Sequence, residues 1–202
     1  MKILIAVPTY ENIYPDTFKS IYDLDSGGHE LYFEFVRGYD VATARNRIVR
    51  LAQSYQVDYV LMVDNDMVLP HDLLVNMLES PMDVCLGYCL ARNNLSPTSR
   101  TVINKFGEVN YTMEYMYTLE EIDELLQSGI HKIGVHGGGM ACALIKASVF
   151  DKLHYPYFKF VEYDNGEVLS EDLYFCEQCH ANGVPIYMDT RAKCGHMFRY
   201  VI

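Results

Sequence analysis

The sequence predicts an α/β fold: one domain with a Rossmann-like, mostly parallel central sheet flanked by helices. Three observations predict it. Apolar runs of strand length alternate with segments of helical period, the order that builds a parallel sheet. The chain has 202 residues, half of them hydrophobic, enough for one substantial core. Two of the apolar runs stop abruptly in polar turns, Pro8-Thr9-Tyr10 and Asp64-Asn65-Asp66, as strands do where an open sheet presents its ligand edge.

Each element follows from local pattern. Residues 2–7 form an apolar strand, and 14–24 read as a short helix closed by Gly27-Gly28. Residues 30–36 alternate as a second strand. From 42 to 56 the apolar positions Ala44, Ile48, Leu51 and Tyr55 recur at helical spacing. Residues 58–63 are a buried strand leading to Asp64, and a helix begins near Leu69-Pro70 and runs through Leu78. A strand over 83–88 follows. The stretch 92–118 is polar, Tyr-rich and turn-rich, an expected excursion over the ligand edge that includes Tyr111, Tyr115 and Tyr117. Helices are expected at 118–127, at 146–152 and from Glu171 to Asn182. Apolar runs at 140–145 and 184–188 supply the last strands, with Cys194-Gly195-His196 as a tail.

Composition narrows the function. A net charge of −11 disfavours nucleic acid, whose binding needs a basic surface. The opening apolar run ends at Pro8, too short for a signal-peptide core or a membrane span, and no other stretch reaches span length. A cytoplasmic protein without a transmembrane segment is expected. The six cysteines then read as reduced thiols.

Asp64 and Asp66 carry the clearest chemistry. Two carboxylates at one strand tip repel each other and call for a cation, and hard divalent ions take oxygen ligands shared with substrate phosphates. The competing reading is a solvated loop or a helix cap.

Four ordered blocks carry a resemblance: Val7-Pro8-Thr9-Tyr10-Glu11, Ala44-Arg45-Asn46, Asp64-Asn65-Asp66, and Ser170-Glu171-Asp172 with Gly195-His196. Together they resemble a GT-A glycosyltransferase of the family 2 type. The resemblance implies transfer of a sugar, hexosyltransferase fashion, from a nucleotide diphosphate sugar to an acceptor hydroxyl, with UDP as the expected nucleotide. It implies that Pro8, Thr9, Tyr10 and Glu11 hold base and ribose, and that Arg45 lies near the donor. Asp66 becomes the first metal ligand, Asp64 the residue facing ribose or a metal-bound water, Asn65 their companion, and His196 the third ligand. Two acids and an imidazole favour Mn²⁺, with Mg²⁺ as the alternative. Asp172 is the implied base, with Glu171 as its alternate; the same acids also suit a helix N-terminus capped by Ser170. Arg199 is a candidate for the leaving diphosphate. His136, beside Gly137-Gly138-Gly139, is a candidate for donor sugar or acceptor contact.

The resemblance divides the chain into a nucleotide-sugar half, about 1–90, and an acceptor and catalytic half, about 91–202, with a carbohydrate, lipid or protein acceptor. The rival readings are a nucleotidyltransferase, and a non-catalytic nucleotide-sugar-binding module cut from a longer protein. Cys176-x-x-Cys179 with Cys194-x-His196 formally matches a zinc set, but the first pair falls inside a helical stretch where core packing is the ordinary role.

Overall fold

The computed structural model describes residues 1–89 and 117–197, with the backbone of 98–99, 102–103 and 109–110. The expected excursion at 92–118, apart from Tyr117 and Thr118 and those backbone pieces, and Arg199 lie outside the described residues. The chain forms β1 (Lys2–Thr9), α1 (Pro15–Tyr22), β2 (Glu30–Arg37), α2 (Val41–Tyr55), β3 (Tyr59–Val63), β4 (Met67–Val68), α3 (Leu73–Glu79) and β5 (Val84–Cys89). Short pieces β6 (Thr98–Ser99), β7 (Val102–Ile103) and β8 (Val109–Asn110) precede α4 (Leu119–Gln127), β9 (Lys132–Val135), β10 (Gly137–Gly138) and β11 (Cys142–Lys146). A hairpin of β12 (Val161–Glu162) and β13 (Val168–Leu169) leads to α5 (Glu171–Ala181) and β14 (Ile186–His196).

The main sheet runs β2-β1-β3-β11-β5-β14-β4, with β9 also on β14. It is mixed, which corrects the mostly parallel expectation. β11 lies antiparallel between β3 and β5, and β4 and β9 are antiparallel to β14. Sequence order conceals this, because a strand's direction is decided by the length and path of its connection and not by its apolar pattern. β1, β2, β3, β5 and β14 still share one direction. Thr9, Arg37, Val63, Cys89 and His196 therefore end at one edge of the sheet.

Alternation along β1 fixes the layers. Leu4 and Ala6 pack on one face with Ile48 of α2, Ile122 of α4 and Phe175 of α5. Ile3, Ile5 and Val7 pack on the other with Ile21 of α1 and Leu73 and Leu74 of α3. Each fully buried aliphatic side chain of this kind contributes about 1.5–3 kcal/mol. Capping sets the helix starts: Asp40 accepts from Thr43 N at 3.0 Å ahead of α2, and Thr118 with Glu121 forms a reciprocal capping box on α4.

Three expectations needed revision. The segment 146–152 contains only a single 3₁₀ turn, Ala147–Val149. The helix expected from Leu69 begins at Leu73, after the short strand β4. The last strand does not stop at residue 188: Cys194, Gly195 and His196 belong to it. All six cysteines are free and buried. Among the described residues no helix is long and apolar enough to cross a membrane.

Candidate active site

The sheet edge where β1, β3 and β14 end gathers most of the residues singled out by sequence. The apolar strand β3 stops at Asp64 because Asp64-Asn65-Asp66 folds into a turn, closed by Met67 N donating to Asp64 O at 3.2 Å. Asn65 ties this turn to the loop after β1. Its Nδ2 donates to Asn12 O at 2.7 Å and Thr9 Oγ1 at 3.2 Å, and its carbonyl accepts from Tyr14 N at 3.1 Å. Thr9 is buried and its own hydroxyl donates to Asn12 O, so its oxygen serves the loop.

His196 comes to the same place from the far end of the chain. β14 pairs with β4 at Gly195↔Val68 and His196↔Met67, and Met197 N donates to Asp66 O at 2.8 Å. A Cβ on Gly195 would stand 3.2 Å from Val68 Cβ, so a glycine permits this approach. As a result His196 Nε2 lies 3.2 Å from Asp66 Oδ2.

Arg45 is buried at the centre of the acids, its side chain 3% exposed. It donates to Asp64 Oδ1 at 2.9 Å and to Glu171 Oε1. Its Nε has no hydrogen-bond partner among the described residues. The guanidinium thus faces carboxylates and not the open cleft. Next to it Asn46 makes four hydrogen bonds: Nδ2 to Ala42 O and Phe158 O, and Oδ1 from Tyr157 N and Phe158 N. These tie the 157–158 segment to α2.

The acids at the start of α5 separate into two environments. Glu171 is buried against Arg45. Asp172 uses Oδ1 to accept from Ser170 Oγ and from Leu173 N at 2.8 Å. Ser170 stands at the cap position, yet its hydroxyl serves Asp172 and not the helix backbone. Asp172 Oδ2 has no hydrogen-bond partner among the described residues, and a Cβ on Gly139 would lie 3.7 Å from it.

Charge in this cluster is out of balance. Burial alone would lower the Arg45 pKa, but Asp64, Glu171 and Asp172 outweigh it and raise it. Asp64 is held above the ordinary carboxylate value, first by burial and then by Asp66 and Asp172, with Arg45 opposing. Glu171 is also raised, by burial first and by Asp172 and Asp64, against the pull of Arg45. Arg45 gains from every acid while each acid shares one cation and repels its neighbours. One guanidinium does not offset the set.

The cleft before these residues measures about 380 Å³ and is lined by Pro8, Tyr10, Tyr39, Asp40, Asn65 and Asp66, among others. Tyr10 is 72% exposed over it, whereas Glu11 is exposed outside its lining. Tyr39 and Asp40 escaped the sequence reading. Their signal was an Asp capping a helix directly after the strand beside β1, at the same sheet edge. Asp64 and Asp66 both line the cleft, but Asp64 turns to Arg45 and Asp66 to His196. Among the described residues no three His, Cys, Asp or Glu side chains are gathered tightly enough to hold a metal ion. The His136 ring lies 5.4 Å from that of His180.

No family model matches the chain, and no curated protein matches it significantly. Its fold is shared with solved structures at low identity. A197 from STIV superimposes with a TM-score of 0.63 at 18% identity, over 98% of this chain and 87% of that one. GalNAc-T7, solved with UDP, GalNAc and Mn²⁺, superimposes with a TM-score of 0.60 at 9% identity. That match covers 98% of this chain and 44% of GalNAc-T7, so the chain spans less than half the length of that chain.

Proposed function

We propose that the chain is a metal-dependent glycosyltransferase that moves a sugar from a nucleotide diphosphate sugar, UDP-linked, to an acceptor hydroxyl. The observation that carries this reading is the acidic cluster whose Asp64 and Asp66 line the cleft. Asp64, Asp66, Glu171 and Asp172 accompany a single buried guanidinium, and burial first, then the neighbouring acids, raise the pKa values of Asp64 and Glu171 against the pull of Arg45. A divalent cation brought in with a diphosphate supplies the missing positive charge. Such ions are commonly held by one or two protein groups plus substrate oxygens. The pair Asp66 and His196, 3.2 Å apart, fits that use, and its mixed oxygen and nitrogen donors favour Mn²⁺. The shared fold of GalNAc-T7 agrees with the reading.

In this reading Asp66 and His196 would hold the metal, and Asp64, kept in place by Arg45, would face the donor ribose. Bound there, the metal would supply positive charge against the departing diphosphate. Exposed Tyr10 offers a ring for the base, while Pro8, Thr9 and Asn65 stiffen the loop beneath it. Asp172 is the base, because it is not paired with Arg45 as Glu171 is and its Oδ2 accepts no hydrogen bond among the described residues. It takes the acceptor proton as the acceptor oxygen bonds to the sugar C1 and the C1–diphosphate bond breaks. Glu171, buried on Arg45, is a positioning residue.

Calorimetry of UDP, GDP and CDP with and without Mn²⁺ tests the donor site. UDP is expected to bind in a Mn²⁺-dependent manner and to lose that dependence in Asp66→Ala. Tight, metal-independent binding that survives the substitution would overturn the assignment. Asp172→Asn should bind donor normally and lose transfer by roughly 10²–10⁴-fold; undiminished transfer would move the base elsewhere.

A further inference from the structure

A second cavity, about 330 Å³, lies on the other side of Tyr39 from the nucleotide cleft. Its charged lining is Arg37, Arg47 and Arg50, and its apolar lining includes Phe35, Tyr39 and Leu51. Tyr39 belongs to both walls.

The arrangement of arginines sets this cavity apart. The described residues contain five: Arg37, Arg45, Arg47, Arg50 and Arg191. Arg45 and Arg191 are bound to carboxylates. The other three all line this one cavity, and among the described residues none of them has an ion-pair partner. Two are held in place by rings instead. Arg47 Cζ lies 3.9 Å over the Tyr39 ring and Arg50 Cζ lies 5.2 Å over the Tyr155 ring. Stacking fixes a guanidinium plane while leaving its in-plane N–H donors available. The nearest acids in sequence, Glu34 and Asp40, are engaged elsewhere: Glu34 accepts from the Tyr55 hydroxyl and Asp40 caps α2.

Arg47 and Arg50 stand three apart on α2, so they share a helix face, and Arg37 reaches it from the end of β2. In a chain of net charge −11, three cations brought together without acids gain nothing from one another. Like charges at this spacing cost stability. A multiply charged anion removes that cost. Three guanidinium forks offer more donors than the two oxygens of a carboxylate can accept, and a phosphate monoester presents three oxygens and nearly two charges.

We infer that this cavity is a binding site for a phosphomonoester group, with Phe35, Tyr39 and Leu51 receiving the adjoining organic part. The site is independent of sugar transfer. Through Tyr39 it adjoins the cleft, so an occupant would bear on the nucleotide site through one shared ring.

The test uses the whole chain in EDTA, which leaves the acidic cleft without a metal to attract phosphate. Inorganic phosphate and pyrophosphate are titrated by calorimetry into wild type, Arg47→Ala/Arg50→Ala, and a charge-matched control, Lys2→Ala/Lys146→Ala. Alanine suits both helical positions, so the double variant should retain the fold, verified by circular dichroism. Wild type and the lysine control are expected to bind pyrophosphate alike, and the arginine variant to bind it roughly tenfold or more weakly. A parallel arm measures sedimentation with phosphatidylcholine vesicles with and without phosphatidic acid. Arginine-dependent vesicle binding identifies a lipid phosphate as the source, and arginine-dependent binding confined to solution identifies a free one. Absence of binding in both arms overturns the inference, and so does equal weakening by the lysine control.

Discussion

At the residue scale Arg45 carries more consequence than any other charged side chain. Sequence marked it as a donor-side residue, but its burial and its two carboxylate partners make it a fixture that aims Asp64 and holds Glu171. Arg45→Met should cost about 3–5 kcal/mol in urea denaturation, because two acids lose their counter-charge inside the protein. Arg45→Met/Glu171→Leu should recover a large part of that loss, since a buried pair replaced by apolar groups leaves one fewer stranded charge. Equal stability of Arg45→Met and wild type would show that water reaches the site. Residue type alone does not separate Glu171 from Asp172; only the resemblance ranks Asp172 first. They are neighbours of the same chemistry, separated only by which way a helix start rotates each carboxylate.

At the element scale β14 decides where His196 goes. Its pairing with β5 holds from Ile186 to Met188, shifts, and resumes at Lys193↔Tyr88. The residues between fill a bulge around Asp189, which is fully buried. Lys132 Nζ donates to Asp189 Oδ2 at 2.7 Å, and Arg191 holds both Asp189 oxygens at 3.0 Å. Lys132 and Arg191 also donate to carbonyls of Asn76 and Met77 near the end of α3, where cations complement the helix dipole. A slip of one residue here would turn His196 to the opposite face of the sheet. This is why the strand reads as ending at 188 and Cys194-Gly195-His196 as a tail: charged residues and a bulge erase the alternation that marks a strand.

Burial pushes the Asp189 pKa up, but hydrogen bonds from Arg191 and Lys132 outweigh it and leave the group below the usual carboxylate value. The sign follows from that lowering. The contribution to stability is complete above the unfolded-state pKa of about 3.9 and is lost as pH falls through the lower folded value. Asp189→Asn should destabilise by about 3 kcal/mol at neutral pH and flatten the stability profile below pH ~4. Thermal denaturation across pH checks both, and an unchanged acid limb would remove Asp189 from the account.

For the whole molecule the candidate site is a junction. β1, β3, α2, α5 and β14 each contribute, from residue 8 to residue 196. A ligand that spans them binds only the assembled fold and so stabilises it. Mn²⁺ with UDP at about a hundred times its dissociation constant should add about 2.7 kcal/mol, a rise in Tm of roughly 5–10 °C. Differential scanning fluorimetry should show the rise in wild type and its loss in Asp66→Ala. A rise that persists in Asp66→Ala would locate the stabilising site elsewhere.

The sequence by itself determined the layered α/β plan, the burial of β1 and β3, and the emergence of Asp64 and Asp66 at a strand end. These follow from local periodicity and from where apolar runs stop. Tertiary structure alone decided that β11 is antiparallel, that Arg45 faces inward, that Glu171 and not Asp172 pairs with Arg45, and that Arg37, Arg47 and Arg50 meet in one cavity. Each depends on strand direction, bulge register or helix rotation, which are set by contacts between segments distant in the chain. No local pattern encodes them.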